Sequence, residues 1–282
     1  MINFKVNQEK CTQCKMCVSD CPVFIIKGKT DFPEIKEGKD VNCIKCQHCI
    51  AICPEGAISI WGKKPENSIL VSNQIPKSIE IENLLQTRRS IRKFKMEELD
   101  KNKIHHLISM ASYAPTAQNQ NAVLFTVVDN RNDMSKLREL AYSHIKNAYD
   151  ENRLPKSFLY LNNFQNVWEE KQIDVIFRNA PHLLIVSAPK SNVSPIVDSN
   201  IAMTYFDLLA SANGIGTLWD GFAQYLFEDV APELKIKVGI PENHKVAAVM
   251  LFGKPAVKYT RSIQNDNTKI NCVNLDSDVD VI

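Results

Sequence analysis

Eight of the nine cysteines in this chain of 282 residues fall in two matching runs. Cys11, Cys14, Cys17 and Cys21 precede Pro22, and Cys43, Cys46, Cys49 and Cys53 precede Pro54. Each run therefore reads CxxCxxCxxxCP, and the two are offset by 32 residues. Thiolates so spaced suit a [4Fe-4S] cubane: a CxxCxxC turn wraps one side of it and supplies three corners, and the fourth comes from elsewhere. In chains of this spacing the fourth cysteine of each run crosses to the other cluster. That predicts Cys11, Cys14, Cys17 and Cys53 on one cluster and Cys43, Cys46, Cys49 and Cys21 on the second. Pro22 and Pro54 then turn the chain away. Paired CxxC units also build zinc sites, but a zinc ribbon needs two pairs rather than two complete quartets each closed by Cys-Pro. The opening MINFKVNQEK lacks the apolar stretch of a signal peptide, so the expectation is a cytoplasmic protein with reduced thiols.

Three further segments carry groups that could hold an anionic, planar ligand. In Thr87-Arg88-Arg89-Ser90-Ile91-Arg92-Lys93-Phe94, several guanidinium groups and a hydroxyl stand at a helix end, and arginine forks match phosphate oxygens. A basic helix end that only complements the macrodipole is the alternative. Ala114-Pro115-Thr116-Ala117-Gln118-Asn119-Gln120-Asn121 puts amides, with their paired donors and acceptors, after a proline-broken helix. It also reads as a plain polar turn. The third, Asn213 to Gly221 (NGIGTLWDG), has glycines that let backbone approach a flat ligand closely, and Phe252-Gly253-Lys254-Pro255 and Arg261 follow it.

In this order and combination the segments resemble the nitroreductase family of flavin enzymes, and the whole chain resembles the ferredoxin-fused nitroreductases. The resemblance implies FMN, with Arg88, Arg89, Ser90, Arg92 and Arg261 at its phosphate and ribityl chain. It implies that Asn119, in the stretch with Pro115 and Thr116, contacts the isoalloxazine, commonly from the other subunit. Leu218, Trp219, Asp220 and Gly221 would lie beside the reactive N5, with a backbone NH near Asp220 directed at it. It also implies a homodimer with FMN at the interface, and helix Asp198 to Asn213 packing there. Asn121-Ala122 and Tyr259 depart from the family's usual residues, which bears on the flavin's polar contacts and on the substrate. No side chain marks itself as a catalytic acid or base: His105, His106, His144 and Tyr142 read as ordinary residues. His48 reads as a solvated turn histidine, with tuning of the sulfurs as the alternative. Cys272 has no partner spacing and reads as a structural or incidental thiol.

The elements that must position these groups form two expected domains of overall α+β class. Residues 1–60 hold both runs in a repeat of strand, ligand loop, short helix after the third cysteine, and strand. Lys27 to Asn42 looks like an inserted hairpin or loop. This ferredoxin-like 2[4Fe-4S] domain is too small for much of a core, so its clusters must organise it. Residues 61–78 read as a linker. Residues 79–282 read as an α+β domain, which the resemblance makes a nitroreductase-like three-layer α/β/α FMN domain. Its expected elements are a helix from Ser78, a helix over Met96 to Ala114 and a buried strand over Val123 to Asp129. An irregular helical stretch over 135–177 follows, either a lid or wall of a pocket or a peripheral hairpin. Strands over Leu183 to Ala188 and Ala247 to Phe252 flank helix Asp198 to Asn213. That helix is apolar nearly all round, which calls for burial in a core or between subunits.

A net charge of +2, with no basic stretch interleaved with aromatics, argues against a nucleic-acid partner. The longest apolar runs are strand-sized, well short of the ~20 residues a membrane span needs. The leading functional reading is therefore an oxidoreductase in which two clusters pass electrons to FMN, which reduces a nitro or other electrophilic small molecule, with an external ferredoxin as donor. Two alternatives stay open: NAD(P)H feeding the flavin, with the clusters as acceptors, or a non-enzymatic electron store or redox sensor.

Overall fold

The computed structural model describes residues 2–28, 30–72 and 74–273. Position 73 of the expected linker and the last nine positions of the expected second domain lie outside them. The chain opens with β1 (Phe4–Val6), α1 (Met16–Ser19), β2 (Ile26–Lys27), β3 (Glu34–Ile35), α2 (His48–Ala51) and β4 (Ile58–Ile60). β1 and β4 pair antiparallel, Phe4 opposite Ile60 and Val6 opposite Ile58. β2 and β3 form the inserted hairpin, Ile26 opposite Ile35. The two short helices begin one residue before the third cysteine of each run, not after it, and so contain Cys17 and Cys49. The left-handed residues Lys15 and Gln47 cause this, because a helix can start only once the chain has left that conformation. The core of this lobe is Ile25, Ile26, Ile50, Ile58 and Ile60 around Cys17, Cys21 and Cys49.

Between β4 and the next helix the described residues include one short 3-10 turn, Pro65–Asn67. Then come α3 (Ser78–Thr87), α4 (Lys101–Ala111), β5 (Leu124–Val128), α5 (Arg131–Asp150), α6 (Tyr160–Lys171), β6 (His182–Pro189) and α7 (Pro195–Ala212). The series ends with β7 (Gly216–Trp219), α8 (Gly221–Tyr225), α9 (Glu233–Lys237) and β8 (His244–Gly253). α3 starts at Ser78, with the Glu80 carboxylate accepting from the Lys77 NH at 2.9 Å. α4 is shorter than the expected Met96 to Ala114 because Asp100 caps it, accepting from the Lys103 NH at 2.9 Å.

β5, β6, β8 and β7 form one sheet in that order, with every pairing antiparallel. Side chains alternate across a strand, so β6 sends Leu183 and Ile185 to one face and Leu184 and Val186 to the other, while β8 divides Val249 and Leu251 from Ala248, Met250 and Phe252. The first face packs under α5, α6, α8 and α9, and the second under α4 and α7. The result is three layers, helices over sheet over helices. β5 is half-buried rather than fully buried, since it is the sheet's edge strand. α7 buries Ala202, Met203, Phe206 and Ala210 but leaves Ile196, Val197 and Tyr205 exposed, so within one chain it is covered on one side only.

The stretch 135–177 is anchored by Asp174, which is buried and accepts from the Tyr142 hydroxyl at 3.0 Å, from Arg138 Nε at 2.6 Å and from the Phe177 NH at 2.8 Å. α6 then meets α8 through Phe164 against Phe222, with centroids 5.2 Å apart. This stretch therefore packs on one face of the sheet, beside α8.

Candidate functional site

The CxxCxxC turns repeat one backbone device. Gln13 and Lys15 flank Cys14 with φ of 57° and 66°, and Lys45 and Gln47 flank Cys46 with φ of 57° and 61°. Alternation into the left-handed region turns successive NH groups inward, a concavity suited to an anionic centre. One pocket is lined by Cys11, Cys14, Cys17 and Cys53, with Pro33 and Ile58. A second is lined by Cys43, Cys46, Cys49 and Cys21, with Ile25, Ile60 and Trp61. The grouping is the crossed one. The Cys17 thiol is pushed up by burial and then by the charges of Cys53, Cys11 and Cys14. Burial and its neighbours Cys46 and Cys43 take the Cys49 thiol up to about 12. Four thiolates so crowded repel one another, and a polycation among them is what lets all four ionise. The donor set and inward NH groups thus fit a cluster in each pocket. The Ala57 NH donates to Cys53 Sγ at 3.2 Å, the kind of bond that tunes a cluster's potential. His48 is exposed and its Nδ1 lies 3.1 Å from Asp20 Oδ2, which fits the solvated reading. Cys272 is exposed.

Two of the three other segments meet. Ser90 bridges Thr217 alongside β7, and the Ile91 NH donates to the Thr217 carbonyl at 2.8 Å. The approach is close enough that a Cβ on Gly216 would stand 2.6 Å from Ile91 Cγ1. Beneath lies Asp207 of α7, only 4% exposed. It accepts from the Thr217 hydroxyl at 2.5 Å and the Trp219 indole NH at 3.0 Å, and stands 3.5 Å from Arg88 Nη1. Asp207 thus fixes Arg88 and Trp219 together. Sequence reading passed it over, although a lone carboxylate in the middle of an apolar helix was the available signal. Arg89 and Ser90 are half-buried and Arg92 is exposed.

Asp220 is buried, with Oδ1 accepting from the Ala223 NH at 3.0 Å and Oδ2 without a hydrogen-bond partner among the described residues. Burial pushes its carboxyl up to about 7. Its own NH donates to the Val249 carbonyl at 2.8 Å. The expected backbone NH near Asp220 is therefore not that of Asp220 itself; Gly221 follows it and opens α8. Leu218 is half-buried and Trp219 and Gly221 are exposed.

The amide segment lies elsewhere. The Ala117 NH donates to Asp198 Oδ1 at 3.0 Å, pinning the loop with exposed Pro115 and half-buried Thr116 to the start of α7. From residue 198 to residue 207, at ~1.5 Å per residue, is about 13 Å along that helix. One chain therefore holds the Arg88–Trp219 group and the Asn119 loop towards opposite ends of α7. Asn119 donates from Nδ2 to the Ile44 carbonyl at 2.8 Å. Arg261 is exposed in the extended segment after β8, and among the described residues no hydrogen bond or ion pair joins it to Arg88, Ser90 or Trp219.

Residues 85–254 match the model of the nitroreductase family, more than half of the chain. The chain belongs to the nitroreductase family. Residues 10–58 match the 4Fe-4S dicluster domain. A protein of Archaeoglobus fulgidus whose name joins NADH dehydrogenase with NAD(P)H nitroreductase is 27% identical over 177 residues, 61% of this chain and 83% of its own length. A nitroreductase from Bacteroides fragilis, solved with bound FMN, matches with a TM-score of 0.56 at 21% identity, over 68% of this chain and 98% of its own. Another with bound FMN, from Desulfitobacterium hafniense, matches with a TM-score of 0.54 at 21% identity, over 69% of this chain and 98% of its own. Those structural likenesses show the fold, the three-layer α/β/α arrangement described above. With its family and its dicluster domain, the chain is an oxidoreductase.

Proposed function

We propose that this member of the nitroreductase family uses FMN and two [4Fe-4S] clusters to reduce a nitro or other electron-poor small molecule, with an external ferredoxin-type protein as donor. The observation that carries the reading is one chain holding two four-cysteine pockets together with the Arg88, Ser90 and Trp219 group. When bound, the clusters would supply electrons singly and the flavin would deliver them to substrate as a hydride. The division of labour is an iron-sulfur domain over 1–60, a linker over 61–78 and a flavin domain over 79–282. Cys11, Cys14, Cys17 and Cys53 would hold one cluster and Cys43, Cys46, Cys49 and Cys21 the other. Arg88, Arg89, Ser90 and Arg92 would bind the phosphate end of FMN. Asp207 would hold Arg88 in place and set the indole of Trp219 beside the ring, next to Leu218, Asp220 and Gly221.

Pro115, Thr116 and Asn119, and with them Arg261, would serve a flavin shared across a homodimer. Exposed Ile79, Ile81 and Leu85 on α3, and Ile196, Val197 and Tyr205 on α7, supply apolar surface for such an interface. Among the described residues no helix is long and apolar enough to cross a membrane. Reduced cysteines suit a cytoplasmic setting.

Anaerobic purification with iron, sulfide and flavin analysis tests the cofactors: about eight irons and one FMN per chain are expected. Zinc in place of iron would sink the reading. The name of the Archaeoglobus relative favours a second donor, NAD(P)H; in that version the clusters would be the acceptors. Stopped-flow mixing with NADH, NADPH and reduced ferredoxin separates the two, since flavin bleaching by ferredoxin alone removes the nicotinamide version.

A further inference from the structure

We infer that the cluster held by Cys43, Cys46, Cys49 and Cys21 is the one that exchanges electrons with the flavin, and that Asn119 is the residue that couples them. The inference rests on the function proposed above and adds the route. Ile44 lies inside the second cluster motif, between Cys43 and Cys46, and its carbonyl accepts from Asn119 Nδ2 at 2.8 Å. A carbonyl only accepts, so the Asn119 amide must face it with its NH2 group. That leaves Oδ1 to accept from a second partner, and the paired edge of a flavin ring offers such a donor. One side chain can then touch the cluster loop and the ring at once.

The loop around Asn119 is built to hold that position. Gln118 and Asn119 take left-handed φ of 52° and 54°, a conformation asparagine adopts more readily than most residues. The Asn119 NH donates to the Thr116 carbonyl at 2.9 Å, and Asn121 Nδ2 donates to the Asn119 carbonyl at 2.8 Å. Asp198 ties the loop to α7 through Ala117. The first cluster's turn, Cys11 to Cys17, has no such bond to the sheet-bearing lobe among the described residues. Each transfer would oxidise the second cluster by one electron, and two transfers with two protons from solvent would take FMN to FMNH2. The external ferredoxin-type donor restores the clusters.

The test compares the parent holoenzyme with Asn119→Ala and Asn119→Asp by hydrogen–deuterium exchange and by single-turnover mixing with reduced ferredoxin. Loss of one neutral hydrogen bond should speed exchange in the 43–49 segment roughly fivefold. Exchange in 11–17 should stay unchanged, and flavin bleaching should slow severalfold at full iron content. Unchanged exchange in 43–49, a response in 11–17 instead, or undiminished bleaching at full flavin content would overturn the inference. Should a variant lose its flavin, the exchange comparison decides alone, because it reads the contact without FMN. A parent protein that never takes up FMN would defeat the proposed function and leave the Asn119 contact separately readable.

Discussion

Replacing Asp207 tests whether one buried carboxylate assembles the candidate flavin site. Its two oxygens face the Thr217 hydroxyl, the Trp219 indole NH and the Arg88 guanidinium. Asp207→Ala leaves the Thr217 hydroxyl, at 1% exposure, and the Trp219 NH without their acceptor. Each lost charge-assisted bond costs about 1.5–3 kcal/mol. The Arg88 side chain is 30% exposed, so solvent screens its pairing and adds little. A loss of about 3–5 kcal/mol follows, on the order of 10 °C in Tm for a domain of this size. Asp207→Asn keeps the shape and one acceptor and should cost roughly 1–2 kcal/mol. Calorimetry on flavin-free protein is the assay, because a bound ligand would add stability by mass action. Tryptophan fluorescence on the same samples should report Trp219 released to solvent. The reasoning fails if Asp207→Ala melts within about 2 °C of the parent, or if the asparagine variant is as damaged as the alanine one.

Other outcomes follow from the same geometry. The Asp220 carboxyl is raised to about 7, so the folded state binds its proton more tightly than the unfolded chain, and stability should fall as pH rises from 4 to 7. Asp220→Asn should match the parent near pH 4 and exceed it at pH 8 by on the order of 4 kcal/mol; a difference in melting temperature that does not change with pH would count against this. A Cβ at Gly253 would stand 2.6 Å from Pro181 Cγ, so Gly253→Ala should lose about 1–3 kcal/mol in a denaturant melt. Stripping iron with a chelator should abolish exchange protection across residues 2–60 while the four-stranded sheet keeps its own, since the first lobe's core consists of little beyond five isoleucines and its cysteines.

The cysteine pattern was legible because ligand spacing is set by the metal centre and survives any ambiguity of secondary structure. β6 and β8 were legible for a different reason: both are buried on two faces, so they appear as unbroken apolar runs. β7 was not, because Gly216-Thr217-Leu218-Trp219 is a four-residue edge strand whose glycine reads as a turn. The same blindness hid α8 and α9, each of five residues, too short to show a period. α4 was expected too long because Met96 and Leu99 continue the apolar spacing, whereas Asp100 stops it with a hydrogen bond that a pattern of apolar residues does not contain. The Asn119 to Ile44 contact joins positions 75 apart, and no local rule reaches so far.

The pairing of β1 with β4 makes the metal-bearing lobe a closed cassette, with its first and last strands side by side. Because both ends meet at one seam, such a unit can be added to or cut from a larger partner without threading through it, and the cut would disturb a neighbour only where the two surfaces touch. A transplant onto a reductase lacking the cassette would therefore need to rebuild the docking contact at Ile44, rather than re-engineer the recipient's sheet.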